Sequence, residues 1–272
     1  MMIQFRHWSW MLCLVFLLLS ASACTGGDTA GDVSPEAAPD ETAVIEEMPE
    51  AASEEAESPT ESDAVSTGPI TGLPTLDGTA TVEMQINGDV VVMELDGSQA
   101  PVTAGNFVDL VQRGVYDGVL FHRVEKPPKF PYPFVVQGGD PNSTDPDVPL
   151  ERLGTGGFVD PDTQQERSIP LEIQPANADE PIYGEVFQES GILQPPALRH
   201  TRGAVAMARS PQPNSASSQF YIALSDLPSL DGSYAVFGYV TEGMDVVDSI
   251  EAGDMIESAT VVSGIENLNQ PE

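Results

Sequence analysis

Positive charge is scarce in this chain. Ten Lys and Arg stand against 43 Asp and Glu over 272 residues, a formal net charge of -33. Nucleic-acid recognition needs clustered cations to displace counterions from phosphate, so no nucleic-acid partner is expected. Direct electrostatic docking on anionic lipid is excluded on the same ground. Cysteine is nearly absent: Cys13 and Cys24 are the two, both near the N-terminus. A mature exported chain would therefore hold its core without a disulfide. Histidine is limited to His7, His122 and His200. No HExxH, CxxC or paired-histidine spacing occurs, so no metal site is expected. GxSxG and GxGxxG are missing, and GTGG at 154–157 lacks the helix and lysine of a phosphate loop. No cofactor is expected. Long apolar runs are also missing: WSWMLCLVFLLLS has about 13 residues, too few to span a bilayer.

That run has signal-peptide proportions, with Arg6 and His7 before it and ASAC after it. The small residues ahead of Cys24 resemble a bacterial lipobox, although Ala21 stands where Leu is commoner. The reading is a signal peptide over 1–23 and a lipid-carrying Cys24 as mature N-terminus. It would anchor the protein to a membrane, facing a periplasm or thylakoid lumen. Plain cleavage after Ala23 and an uncleaved anchor are the alternatives. Residues 25–78 contain 14 Asp or Glu and no Lys or Arg, with no apolar period. Residues 24–78 therefore read as a disordered acidic linker. As a flexible chain it would reach about 40 Å. A specific acidic docking arm is the sharper alternative.

From Gly78 the composition changes. TATVEMQINGDVVVMELD places two alternating apolar runs around Asn87-Gly88, which predicts a hairpin. Pro101 opens a helix whose apolar stripe holds Phe107, Leu110 and Val111, and Gly114 ends it. VLFHRV, FVVQGG, GAVAMA, QFYIAL and YAVFGYV read as strands, GMDVVDSIEAG as a second short helix, and SATVVSGI as a last strand. The pattern predicts a mainly β fold, an antiparallel barrel or sandwich with two helices.

With the usual catalytic templates missing, what remains is one arginine lodged in VLFHRV, side-chain amides and aromatics. That set suits a reaction that breaks no bond, such as rotation about an X–Pro peptide. Its barrier of ~18–20 kcal/mol comes from amide resonance. A donor aimed at the proline nitrogen favours the twisted state, where the lone pair is localised, over the planar ground state. About 5 kcal/mol of such preference gives several thousandfold. The site needs a fixed cation, an apolar pocket for the pyrrolidine ring and amides to hold backbone. No general base is required.

In order along the chain stand APVTAGNF, VLFHRV, FVVQGGD, GAVAMARS, NSASSQFYIAL and LDGSYAVFGYVTEGMDVV. They resemble the landmark motifs of cyclophilins, the cyclosporin-binding class of peptidyl-prolyl isomerases. GTGGFVDPDTQQERSIPLEIQP and QPPALRHTRG resemble the cyanobacterial and thylakoid-lumen branch. The resemblance covers an isomerase domain at 79–265, followed by a tail at 266–272. It implies a closed eight-stranded antiparallel β-barrel with two capping α-helices and an outside groove. It makes Arg123 the catalytic guanidinium and places Phe134, Val135, Tyr221 and Leu230 around the proline ring. Gln137, Ala208, Arg209 and Gln219 would line substrate backbone, Tyr234 falls where many members have His, and His122 adjoins the arginine. His122 reads as a hydrogen-bonded structural partner, and His200 as a loop residue. Tyr221 departs from the usual Phe and Val135 from a common Met. Ser229 stands where cyclosporin-sensitive members have Trp, which implies weak cyclosporin binding.

The resemblance further implies a monomer that isomerises X–Pro bonds of proline-containing exported polypeptides and so assists their folding. A non-catalytic proline-peptide binding module and a membrane-tethered scaffold are the competing readings. Two segments are longer than in compact members: KPPKFPYP after Glu125, and 142–201. The prolines of the first suggest either a stiff loop or an intramolecular pseudo-substrate lying over the groove.

Overall fold

The computed structural model describes residues 72–271. The expected signal segment, Cys24 and nearly all of the acidic linker lie outside them. β1 (Thr75–Leu76) precedes the hairpin of β2 (Thr79–Ile86) and β3 (Asp89–Asp96). Burial alternates along β2: Ala80, Val82, Met84 and Ile86 point inward, the two-residue period of a half-buried strand. Asn87 and Gly88 both have positive φ, 54° and 84°, as a two-residue turn that matches strand twist requires.

α1 (Pro101–Gln112) starts on the proline that the sequence marks. It is more enclosed than one apolar stripe suggests, since every residue from Val102 to Val111 is buried. The long 142–201 segment supplies much of the cover. It carries the short ribbon β6 (Glu172–Ile173) and β7 (Ile182–Tyr183), after β4 (Arg123–Val124) and β5 (Val135–Gly138). Glu172 caps the helix, accepting from the backbone N–H of Val102 (3.1 Å) and Thr103 (2.7 Å). At the other end Asp109 accepts from Arg113 and Gln270 at 2.8 Å each, and pairs with Arg167. The Arg167 guanidinium lies 4.8 Å from the Phe158 ring centroid. The two buried carboxylates against α1, Glu172 and Asp109, are thus paired, as burial demands, while the Thr103 hydroxyl is buried without a partner.

The chain closes with β8 (Ala204–Met207), β9 (Phe220–Ala223), β10 (Val236–Glu242), α2 (Met244–Ser249), β11 (Ile256–Ser263) and β12 (Leu268–Asn269). β12 pairs with β1, and Gln270 reaches α1, so segments flanking 79–265 pack on the fold. Eight strands form one antiparallel sheet in the order β11-β2-β3-β10-β8-β9-β5-β4. It curls around an aromatic core in which Phe107 meets Phe237 at 5.0 Å and Phe220 edge-on at 5.3 Å.

The expected closed barrel is not formed. The edge strands β4 and β11 share no ladder; the sheet is a curled half-barrel. VLFHRV contributes only two ladder residues because Leu120 and Phe121 bond to the segment before β11 rather than to β5. Loop bonds tie the two edges instead: an isolated Leu120–Met255 bridge, and Phe121 N–H donating to Asp254 O at 2.8 Å.

Candidate functional site

The sheet sorts its side chains by row. Val124, Val136, Ile222 and Val205 lie opposite one another across β4, β5, β9 and β8, and the last three are fully buried in the core. One residue along, Arg123, Gln137, Tyr221 and Ala206 form the next row. Strand alternation sends that row to the other face. There Ala204, Ala206 and Ala223 are buried in a cluster against which Phe134, Leu230 and Tyr234 pack, and a hollow opens on that face.

The hollow has a volume of ≈ 250 Å³, lined by Arg123, Phe134, Val135, Gln137, Ala208, Arg209, Tyr221, Leu230 and Tyr234. All nine are residues singled out from the sequence. A second hollow of ≈ 250 Å³ adjoins it across Gln137, Ala208 and Arg209, and Gln219 lines that one together with Gly156 and Glu166. His122 lines neither. Its two ring nitrogens are buried without a hydrogen-bond partner, contrary to the expected paired role. Burial holds its pKa below the usual histidine value, with Asp140 opposing the shift.

The guanidinium is fixed from two sides. Arg123 Nη1 donates to Gln137 Oε1 at 3.1 Å. Nε donates to Glu125 Oε1 at 2.9 Å, and Nη2 lies 2.7 Å from the same oxygen. A guanidinium has five N–H donors, so hydrogens on the terminal nitrogens stay available. The amide chain then continues: Gln137 Nε2 donates to Gln219 Oε1 (3.0 Å), and Gln219 Nε2 to the Gly156 carbonyl (2.8 Å). Each amide is thereby oriented by the one before it.

The GTGG loop has a structural role here. Asp140 accepts from the N–H of Gly154 (2.6 Å), Gly156 (3.1 Å) and Asn142 (2.9 Å). Burial would raise its carboxyl pKa, but those bonds outweigh it and hold the value below the usual range. A Cβ at Gly156 would meet Asp140 Oδ1 at 2.3 Å, and one at Gly139 (φ 91°) would meet the Ser218 carbonyl at 2.5 Å. Close backbone approach and positive φ require glycine at 139, while at 156 the Asp140 and Asn142 side chains leave no room for a Cβ.

Arg209 is committed to structure. It donates to the carbonyls of Ser233 (2.7 Å and 3.2 Å), Ser210 (2.9 Å) and Pro211 (3.1 Å), and its guanidinium sits 4.7 Å from the Tyr234 centroid. It forms a wall between the hollows and has few donors left for substrate backbone. The KPPKFPYP prolines do not line either hollow. Lys126 pins that loop to the Asp248 and Ile250 carbonyls (2.6 Å and 2.7 Å), and Phe130 stacks on Phe134 at 5.4 Å. The loop buttresses the pocket wall. Sequence reading missed Glu125, although it stands just two residues from Arg123, immediately past the end of β4, where the extended period keeps the two side chains on one face.

A fixed cation at the mouth of an apolar hollow, flanked by ordered amides, can bind an extended peptide and hold an imide nitrogen. No histidine or carboxylate lines this hollow; Glu125 stands at its rim on Arg123, and Glu166 lines the adjoining one. Residues 81–268 match the family model described as cyclophilin type peptidyl-prolyl cis-trans isomerase/CLD. The chain belongs to the cyclophilin-type isomerase family. It is similar to a putative thylakoid lumen peptidyl-prolyl cis-trans isomerase of Synechocystis, 41% identical over 72% of this chain and 50% of that protein. It is likewise similar to a chloroplastic peptidyl-prolyl cis-trans isomerase of Arabidopsis thaliana, 42% identical over 73% of this chain and 46% of that one. A probable peptidyl-prolyl cis-trans isomerase of Brucella suis is 34% identical over 73% of this chain and 85% of its own length. The chain spans about half the length of the first two relatives. Among the described residues of this cyclophilin, no helix is long and apolar enough to cross a membrane.

Proposed function

We propose that the protein is a peptidyl-prolyl cis-trans isomerase acting on X–Pro bonds of exported polypeptides. The observation that carries this is Arg123, held by Gln137 and Glu125 at the rim of the hollow formed by Phe134, Val135, Tyr221 and Leu230. A pyrrolidine ring seated in that hollow would bring its nitrogen within reach of the free guanidinium hydrogens. Donation strengthens as the amide twists and its lone pair localises, so the interaction is differential. Gln137 and Gln219 would hold the flanking backbone, keeping one side of the bond fixed while the other rotates.

The test is the X–Pro exchange rate of a proline tetrapeptide, measured by NMR with the full-length chain and with Arg123→Ala. Acceleration that falls tenfold or more in the variant is expected. Equal acceleration in both would remove Arg123 from its role. Peptide binding without acceleration would make the protein a proline-peptide binding module.

The same reading assigns residues 1–23 to a lipoprotein signal peptide, Cys24 to the lipidated N-terminus, 24–78 to an acidic spacer and 79–265 to a monomeric isomerase domain with a tail at 266–272. The small residues Ala21, Ser22 and Ala23 ahead of Cys24, and lumenal and chloroplastic relatives, support export. Labelled fatty acid should enter the protein in a bacterial host and should be lost in Cys24→Ala. Label retained in that variant would exclude Cys24 as the attachment site.

A further inference from the structure

His200 was read as an ordinary loop residue, yet its side chain is fully buried. It sits directly behind the pocket. Nδ1 lies 2.8 Å from Asp231 Oδ1, and Nε2 lies 3.0 Å from the Tyr221 hydroxyl. A carboxylate can only accept, so Nδ1 carries the proton and Nε2 accepts from the tyrosine. The His200 backbone N–H also donates to Asp231 Oδ1 at 2.8 Å, and its carbonyl accepts from Leu227 N–H at 2.7 Å.

The short turn Pro228–Leu230 therefore hangs from His200 at both ends, through Leu227 and Asp231. That turn carries Leu230, one wall of the hollow, while Tyr221 is its floor. The imidazole is the link between floor and wall. The hydroxyl that makes the link exists because this chain has Tyr where the family usually has Phe.

We propose that His200 is a positioning residue: through Tyr221 and Asp231 it sets the separation between the pocket's floor and its Leu230 wall, and so the fit of the proline ring. The proposal rests on the isomerase reading for its kinetic form, and on the pocket alone for its binding form. Replacing His200 with Phe leaves the tyrosine hydroxyl buried without a partner, which strains the ring out of place. Replacing it with Gln offers an acceptor for Tyr221 and a donor for Asp231. Removing both partners, with Phe at 200 and 221, leaves no orphaned group.

The experiment measures kcat, KM and peptide Kd by NMR exchange on the full chain, for the wild type and three variants. His200→Phe is expected to raise KM and Kd about tenfold with kcat within about threefold. His200→Gln should recover most of that loss, whereas the His200→Phe, Tyr221→Phe pair, which has no orphaned hydroxyl but also no link, should not; full recovery in the pair would overturn the proposal. Unchanged KM and Kd in His200→Phe would overturn the proposal, as would a loss confined to kcat. If that variant does not fold, Tyr221→Phe decides: a KM or Kd rise of about threefold is expected, and no change overturns it. Failure of the isomerase reading is separable, because it appears as no acceleration by the wild type, and Kd then carries the comparison.

Discussion

Arg123 and Gln137 face each other across β4 and β5, joined by a 3.1 Å bond from Nη1 to Oε1. Because the oxygen is engaged, the amide nitrogen points to Gln219, and that glutamine in turn to Gly156. One interaction therefore orients the cation and two amides together. Gln137→Ala is expected to lower kcat/KM about tenfold, or ~1.4 kcal/mol, with the larger part in kcat. Arg123→Lys should not restore an Arg123→Ala loss, since a point charge cannot bridge Gln137 and Glu125 as a planar fork does. Full activity in Arg123→Lys would show that charge alone suffices.

Glu172 lies 70 residues along the chain from the helix N-terminus it caps. Ala100, at the N-cap position of α1, has no side chain to offer. Four N–H groups at a helix start lack intrahelical partners, and Glu172 satisfies two of them while also accepting from Tyr183 at 2.9 Å. Glu172→Ala leaves buried donors orphaned and should cost about 2–3 kcal/mol. Urea unfolding would read this as a lower midpoint with unchanged slope. A midpoint equal to wild type would mean that water or another group caps the helix.

Asp109 makes stability depend on acid. Burial would raise its carboxyl pKa, but bonds from Arg167, Gln270 and Arg113 outweigh burial and lower it. A folded-state pKa below the unfolded one gives stability that is present above the unfolded value of about 3.9 and lost as pH falls through the folded value. Urea midpoints should therefore drop from pH 5 toward pH 3 in the wild type, and drop less in Asp109→Asn. The variant should be less stable at pH 7. Parallel pH curves for the two proteins would rule this group out as the source.

Local signals carried far in this chain. Asn87-Gly88 marked its turn because only residues tolerant of positive φ fit there, and Pro101 marked the helix start. The alternation in GAVAMA put valine and methionine inward and alanine outward, and the last of these alanines, Ala208, lines the hollow on the outer face. What distance in sequence hides is pairing. Glu172 with α1, Arg167 with Asp109, and His200 with Asp231 and Tyr221 join segments that no short window shows together. Barrel closure also failed to follow from strand-like composition: VLFHRV is apolar enough for a strand, but Leu120 and Phe121 bond to Met255 and Asp254, which leaves two residues in register with β5.

Ser229 lies exposed in the turn Pro228–Leu230, beside the Leu230 wall of the hollow. Cyclosporin-sensitive cyclophilins have Trp at the matching position, where the indole offers a large apolar face and a donor. Serine removes nearly all of that area, a loss on the order of 2 kcal/mol, or about thirtyfold in affinity. Calorimetric titration should therefore show weak cyclosporin binding by the wild type. Ser229→Trp should tighten it by tenfold or more, while X–Pro exchange of a small peptide changes little because the proline hollow does not include this residue. Tight stoichiometric binding by the wild type would mean that the surrounding walls, Phe134 and Tyr221 among them, supply the affinity without an indole. No tightening in Ser229→Trp would mean that this turn holds position 229 away from the ligand.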